Sequence, residues 1–174
     1  TLTVSGTSDG SGSGLHAQPY SFSTTKGQYS WQASASKTFT SNQTVYVYTR
    51  DTLGNIALRS TVTINKIDKT APVIQSVSGN PDAPVNTDVT LAVNASDALS
   101  GITGYSFDGG ETWQAANTKV FTQNTSGIIV KVKDSAGNIT TYGETIDITN
   151  IDKTAPNTPF IYEYMGLVYL CSGD

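Results

Sequence analysis

Alternation is the clearest pattern along the chain. Val89-Thr90-Leu91-Ala92-Val93 places apolar side chains at every second position, the period of a strand with one buried face. Ile128-Ile129-Val130-Lys131-Val132-Lys133 carries the same period and predicts the strongest strand in the chain, with Lys131 and Lys133 facing solvent. Shorter strands are predicted over 73–77, 104–107, 112–114, 119–122, 139–142 and 145–148. The loop Asn80-Pro81-Asp82-Ala83-Pro84 ends the first of these, and a Gly-rich turn joins 104–107 to 112–114. About seven short strands with regular turn signals is the pattern of a β-sandwich.

The pattern recurs. INKIDKTAP, from Ile64 to Pro72, returns as ITNIDKTAP, from Ile148 to Pro156, 84 residues on. Asp51-Thr52-Leu53-Gly54-Asn55 returns as Asp134-Ser135-Ala136-Gly137-Asn138, Trp31 as Trp113, Phe39 as Phe121, and Tyr20-Ser21-Phe22 as Tyr105-Ser106-Phe107. A period of about 83 residues is too long for a solenoid unit and suits a small sandwich. Three pieces are expected: 1–68, a sandwich without its opening strand; 69–152, a complete sandwich; and 153–174, the start of a third. Leu2-Thr3-Val4 aligns with Leu91-Ala92-Val93, which is why the first piece reads as lacking a strand.

IDKTAP, the run IIVKVKDSAGNI and the turn YSFDGGETW together resemble the bacterial immunoglobulin-like repeats of large exported proteins, common on Gram-positive surfaces. That resemblance implies an all-β fold of tandem immunoglobulin-like sandwiches and an extracellular or cell-surface setting. It also implies a non-catalytic stalk that spaces or presents a head domain, with neighbouring repeats of the same chain as its partners. The alternative implied is an adhesin module that binds a surface glycan or host protein, or an accessory domain of a carbohydrate-active enzyme. For the adhesin, Tyr46, Tyr48, Tyr142 and the loop Ser11 to His16 are the candidate contacts.

Composition narrows the classes. Charged residues are only 14% of the 174, and the net charge is -4. Thr, Ser, Asn and Gly take the place of charge, as suits strands and tight turns. With no Lys/Arg cluster the chain has no electrostatic footprint for nucleic acid. No apolar run reaches the ~18 residues of a membrane span. Cys171 is the single cysteine, so no disulfide forms within the chain, and a buried strand position is expected for it. The chain opens on TLTVSGTSDG and reads as part of a longer protein.

Ser106 to Trp113 matches S-x-D-x-G-x-T-W, which resembles the Asp box of sialidases and related β-propellers. The first copy keeps Tyr20, Phe22 and Trp31 but has Ser23 where Asp108 would stand. Aromatics kept while the carboxylate is lost point to a packed hairpin, with Asp108 and two glycines closing the turn and Trp113 packed on the hydrophobic face. Asp51 and Asp134 read as hairpin-turn residues. The sharper reading, a calcium site pooling Asp134 with Asp97, Asp108 or Asp68, lacks both a dense D-x-D-x-D spacing and an evident six to eight oxygens. No metal, cofactor or catalytic residue is assigned. His16 is expected in a solvated loop. A Lys–Asn isopeptide crosslink, as in some Gram-positive adhesins, is disfavoured by the outward Lys131 and Lys133. Asn42, Asn94, Asn124 and Asn138 stand in Asn-x-Ser/Thr triplets, a weak glycosylation signal.

Overall fold

In a computed structural model of the chain, residues 1–157, 160–164 and 166–171 are described, the last two stretches by their backbone. The fold is all-β with several antiparallel sheets, consistent with a β-sandwich. The chain divides into two compact units, Thr1–Lys69 and Thr70–Asp174.

The first unit contains β1 (Leu2–Thr3), β2 (Leu15–Ser23), β3 (Trp31–Gln32), β4 (Ser36–Lys37), β5 (Gln43–Asp51) and β6 (Ile56–Ile64). Its sheets run β3-β2-β5-β6 and β1-β4. Pro19 lies in β2 where the register with β5 shifts, the place in a strand that tolerates a residue without an N–H. Phe22, Val45 and Val47 form the buried centre, with Leu2, Val4 and Phe39 packed around it.

The second unit contains β7 (Val73–Ser78), β8 (Val89–Ser96), β9 (Ile102–Ser106), β10 (Thr118–Phe121), β11 (Thr125–Ile128), β12 (Lys131–Asp134), β13 (Ile139–Thr141) and β14 (Ile146–Ile148). The sheets run β10-β8-β7, β11-β14 and β13-β12-β9. Val89, Leu91 and Val93 alternate into a core shared with Phe107, Val130 and Ile148. The chain leaves this core at Ile151, which pairs in parallel with Val85. Two backbone bonds hold that pairing, Val85 N–H to Asn150 C=O and Asp152 N–H to Val85 C=O, each 2.8 Å.

Two expectations are corrected. The run Ile128 to Lys133 is not one strand: β11 pairs with β14, and β12 pairs with β9 and β13. The chain changes partners between Ile128 and Lys131, leaving Ile129 40% exposed while Val130 is fully buried. Residues 112–114 form no strand either; Gln114 makes only a single bridge to Tyr105.

Beyond Asn157 the backbone forms a hairpin of β15 (Phe160–Tyr164) and β16 (Leu167–Cys171). The side chain of Cys171, for which a buried position was expected, lies outside the described residues.

Candidate functional site

The hairpin that follows β9 is built by short-range polar bonds. The Ser106 hydroxyl, buried, donates to Asp108 Oδ1 (2.7 Å) and accepts the Gly110 N–H (2.8 Å). Asp108 Oδ1 also accepts the Thr112 N–H at 2.9 Å, and its Oδ2 accepts the Thr112 hydroxyl. Gly109 and Gly110 take φ of 76° and 100°, where an L side chain would be strained. The Thr112 hydroxyl, then its N–H and the Ser106 hydroxyl, hold the Asp108 carboxyl well below the usual carboxylate range. A carboxylate so fully engaged by its own turn is a structural acceptor and a poor general acid or base.

Trp113 is placed differently from expectation. It packs on the outer face of β9 and β12, and the buried core is formed without it. Lys133 Nζ sits 4.4 Å from its ring centroid, and its Nε1 donates to Gly110 C=O at 3.1 Å. A Cβ at Gly104 would lie 2.7 Å from Lys133 Cε and 3.3 Å from Trp113 Cε3, so the glycine makes room for this stack. Lys131 and Lys133 do face outward from Val130 and Val132, half-buried by their neighbours rather than fully solvated. In the first unit Arg50 covers Trp31 at the same 4.4 Å, so the pairing is a cation–π contact at both places.

The two Asp-x-x-Gly-Asn turns close alike. Asp51 Oδ1 accepts the Asn55 N–H (2.8 Å) and Oδ2 its side-chain amide (2.6 Å). Asp134 takes the same bonds from Asn138, at 2.8 and 2.7 Å. For Asp51 the Asn55 amide outweighs the opposing effect of burial and lowers the pKa. For Asp134, 1% exposed, burial pushes the pKa up, but the Asn138 amide and backbone N–H groups prevail and the net shift is down.

Of the residues pooled in the calcium reading, Asp108 has both oxygens engaged in its own hairpin. Asp68 is half-buried at the end of the first unit. Asp97 Oδ1 caps its own turn, accepting N–H groups from Leu99, Ser100 and Gly101 at 3.2, 2.9 and 2.8 Å. Within the second unit a carboxylate oxygen of Asp97 and one of Asp134 lie within 4.8 Å of each other.

The aromatic candidates are reordered. Tyr48 is only 5% exposed, its hydroxyl accepting the Gly27 N–H at 2.7 Å, and Tyr46 and Tyr142 are half-buried. Among the described residues Tyr29 is an exposed ring, at 44%, stacked on Trp31 at 5.4 Å and edge-on to Tyr48 at 4.9 Å. Sequence reading passed over Tyr29 because it stands in the loop that the first copy has and the second lacks. His16 lies at the start of β2, half-buried, with Nδ1 accepting the Gln18 N–H, and not in a solvated loop.

Three of the Asn-x-Ser/Thr asparagines have structural bonds. Asn42 clamps Ile67 by donating to its C=O and accepting its N–H, each at 2.9 Å. Asn124 clamps Ile151 in the same way, at 3.2 and 2.8 Å. Asn138 holds Asp134, as described. No family model, curated protein or solved structure matches the chain.

Proposed function

We propose that the chain is a non-catalytic, load-bearing segment of tandem immunoglobulin-like sandwiches in an exported bacterial surface protein, spacing a head domain from the cell. The observation that supports this most is the parallel pairing of Val85 with Ile151. Tension along the chain pulls on Ile151 and the residues after it. Because the pairing is parallel, its two bonds are sheared together, and neither can open before the other. The Asn124 clamp on Ile151 adds two more bonds at the same point.

Pulling single molecules from their ends tests the reading. The second unit is expected to unravel in one step of about 25 nm, the reach of some 80 extended residues less the folded length. Gradual extension at low force would reject a load-bearing role.

A second reading is favoured by one observation. Tyr29, exposed and stacked on Trp31 beside Arg50, is the kind of ring on which a sugar face packs. A glycan-array signal that disappears in Tyr29→Ala would replace the stalk by an adhesin module; an array with no such signal leaves the stalk in place.

A further inference from the structure

We propose that the Tyr29 platform of the first unit takes an acidic saccharide, a sugar that carries a carboxylate, with Arg50 as the group that binds the charge. The inference rests on the reading of Tyr29 as a ring for a sugar face, and it names the class of sugar.

The first argument is what the second unit does without. Ser21 stands opposite Trp31 and Tyr48 in the first unit, and Ser106 stands opposite Lys131 in the second. Two residues on, Arg50 covers Trp31 as Lys133 covers Trp113. The cation–indole stack is thus common to both units, and the tyrosines are not. Lys131 occupies the place of Tyr48, and the shorter Asp108 turn has no counterpart of Tyr29. Closing this hairpin therefore does not require the two tyrosines.

The second argument is how the extra ring is held. The loop from Ser23 to Ser30 is fastened by Thr25 N–H to Ser23 Oγ (3.2 Å), Gln28 N–H to Thr25 C=O (3.2 Å), Gly27 N–H to the Tyr48 hydroxyl (2.7 Å) and Ser30 N–H to the Ser21 hydroxyl (2.9 Å). Tyr29 is set against Trp31 by these bonds, and a ring placed in advance loses little freedom on binding. The counterpart face of the second unit is open too, with Ile139 exposed opposite Lys133 as Ile56 is opposite Arg50.

The third argument is charge. Arg50 donates its Nε–H to Gln18 C=O at 3.0 Å and, among the described residues, has no carboxylate partner. Its neighbour Asp51 has both oxygens engaged by Asn55. Residues 1–69 hold six Lys or Arg against three Asp and no Glu, whereas residues 70–174 hold four against eleven acidic side chains. The net negative charge of the chain therefore sits in the second unit, and the platform lies on the positive one. A guanidinium presents its donors as a planar fork that fits a carboxylate. Tyr29 serves the sugar ring and Arg50 its acid group.

The test is titration of the 174-residue chain with tetramers of galacturonate and of mannuronate, each beside its methyl ester, which keeps the rings and removes the charge. Calorimetry reads the binding, and NMR shifts of the Tyr29 and Ser30 amides, the Trp31 indole N–H and the Arg50 side chain read its place. Saturable shifts there are expected with at least one of the acids, and at least tenfold weaker binding of its ester. Arg50→Lys, which copies the Lys133–Trp113 pair, should fold as the native chain does and keep part of that preference. Arg50→Gln should bind acid and ester alike, and Tyr29→Ala should bind neither. Equal binding of acid and ester by the native chain, lost in Tyr29→Ala, would overturn the acidic class and leave the sugar-face reading standing. No binding of any of these ligands would overturn both. An undiminished preference for the acid in Arg50→Gln, or a glutamate tetramer bound at the same residues as tightly as the acid, would each overturn the proposal.

Discussion

Asp134 is almost wholly enclosed and still keeps its carboxyl below the usual range, because Asn138 and the turn backbone supply donors to it. In the unfolded chain an Asp carboxyl titrates near 4. A folded value below the unfolded one gives stability that is complete above about pH 4 and is lost as pH falls through the folded value. Asp51 and Asp108 are shifted in the same direction and add to the effect. The melting temperature should therefore hold from pH 7 to pH 5 and fall below pH 4. Asp134→Asn should melt lower at pH 7 and show a flatter fall in acid. Calorimetry across that range checks both. The clamps allow a comparison as well. Asn124 serves partly buried backbone groups and Asn42 exposed ones. Asn124→Ala should cost about 1–3 kcal/mol in urea unfolding, and Asn42→Ala less, since water replaces the lost partner. These roles were only half legible in the sequence. Asp-x-x-Gly-Asn announces a turn by itself, whereas the Asn42 and Asn124 clamps join residues 25 and 27 positions apart, which no local pattern records.

Among the elements, alternation located β8 and the inward residues from Ile128 to Val132, but it gave no partners and it placed a strand over 112–114 where Gln114 makes only a bridge. Ile128, Val130 and Val132 point inward as their period requires. The same period continues through the change of sheet after Ile128, so periodicity alone could not reveal the break. What sets it is which strand lies alongside: β14 before the break, β9 and β13 after it. Trp113 was misplaced for a related reason. A large ring reads as core, and its burial under Lys133 depends on Gly104 leaving the space. Gly79 offers a sharp test of close approach between β7 and β8. At φ 98° a Cβ would also meet Thr90 C=O at 2.0 Å. At Gly137, φ 94°, a Cβ meets nothing within 4 Å. Gly137→Ala should cost only the backbone penalty, about 1–2 kcal/mol. Gly79→Ala should cost clearly more, because Thr90 or β7 must move as well. Chemical denaturation of the two variants side by side measures the difference.

For the molecule as a whole, sparse charge and abundant Thr, Ser and Asn indicated an all-β chain, and the structure is one. How the chain leaves its second unit was not legible, because the parallel pairing of Val85 with Ile151 joins a loop residue to the end of the domain. Val85→Pro removes the N–H that Asn150 accepts. It should cost about 1 kcal/mol at equilibrium and lower the rupture force of the second unit by a larger fraction, as force spectroscopy beside urea unfolding would show. The clamps carry a further consequence, for the gene. Asn42 holds Ile67, the first residue of one IDKTAP, and Asn138 and Thr140 hold Thr70 and Pro72 later in the same six residues. The repeated word is thus divided, its first residue held by a side chain of the first unit and two of its last three residues by side chains of the second. Unequal crossing-over between the two IDKTAP coding stretches would remove 84 residues, replacing Ile67 by Ile151 or keeping it, and the clamp would find the same partner in either case. A change of length by one copy would therefore leave Asn42 with an isoleucine to clamp at the junction.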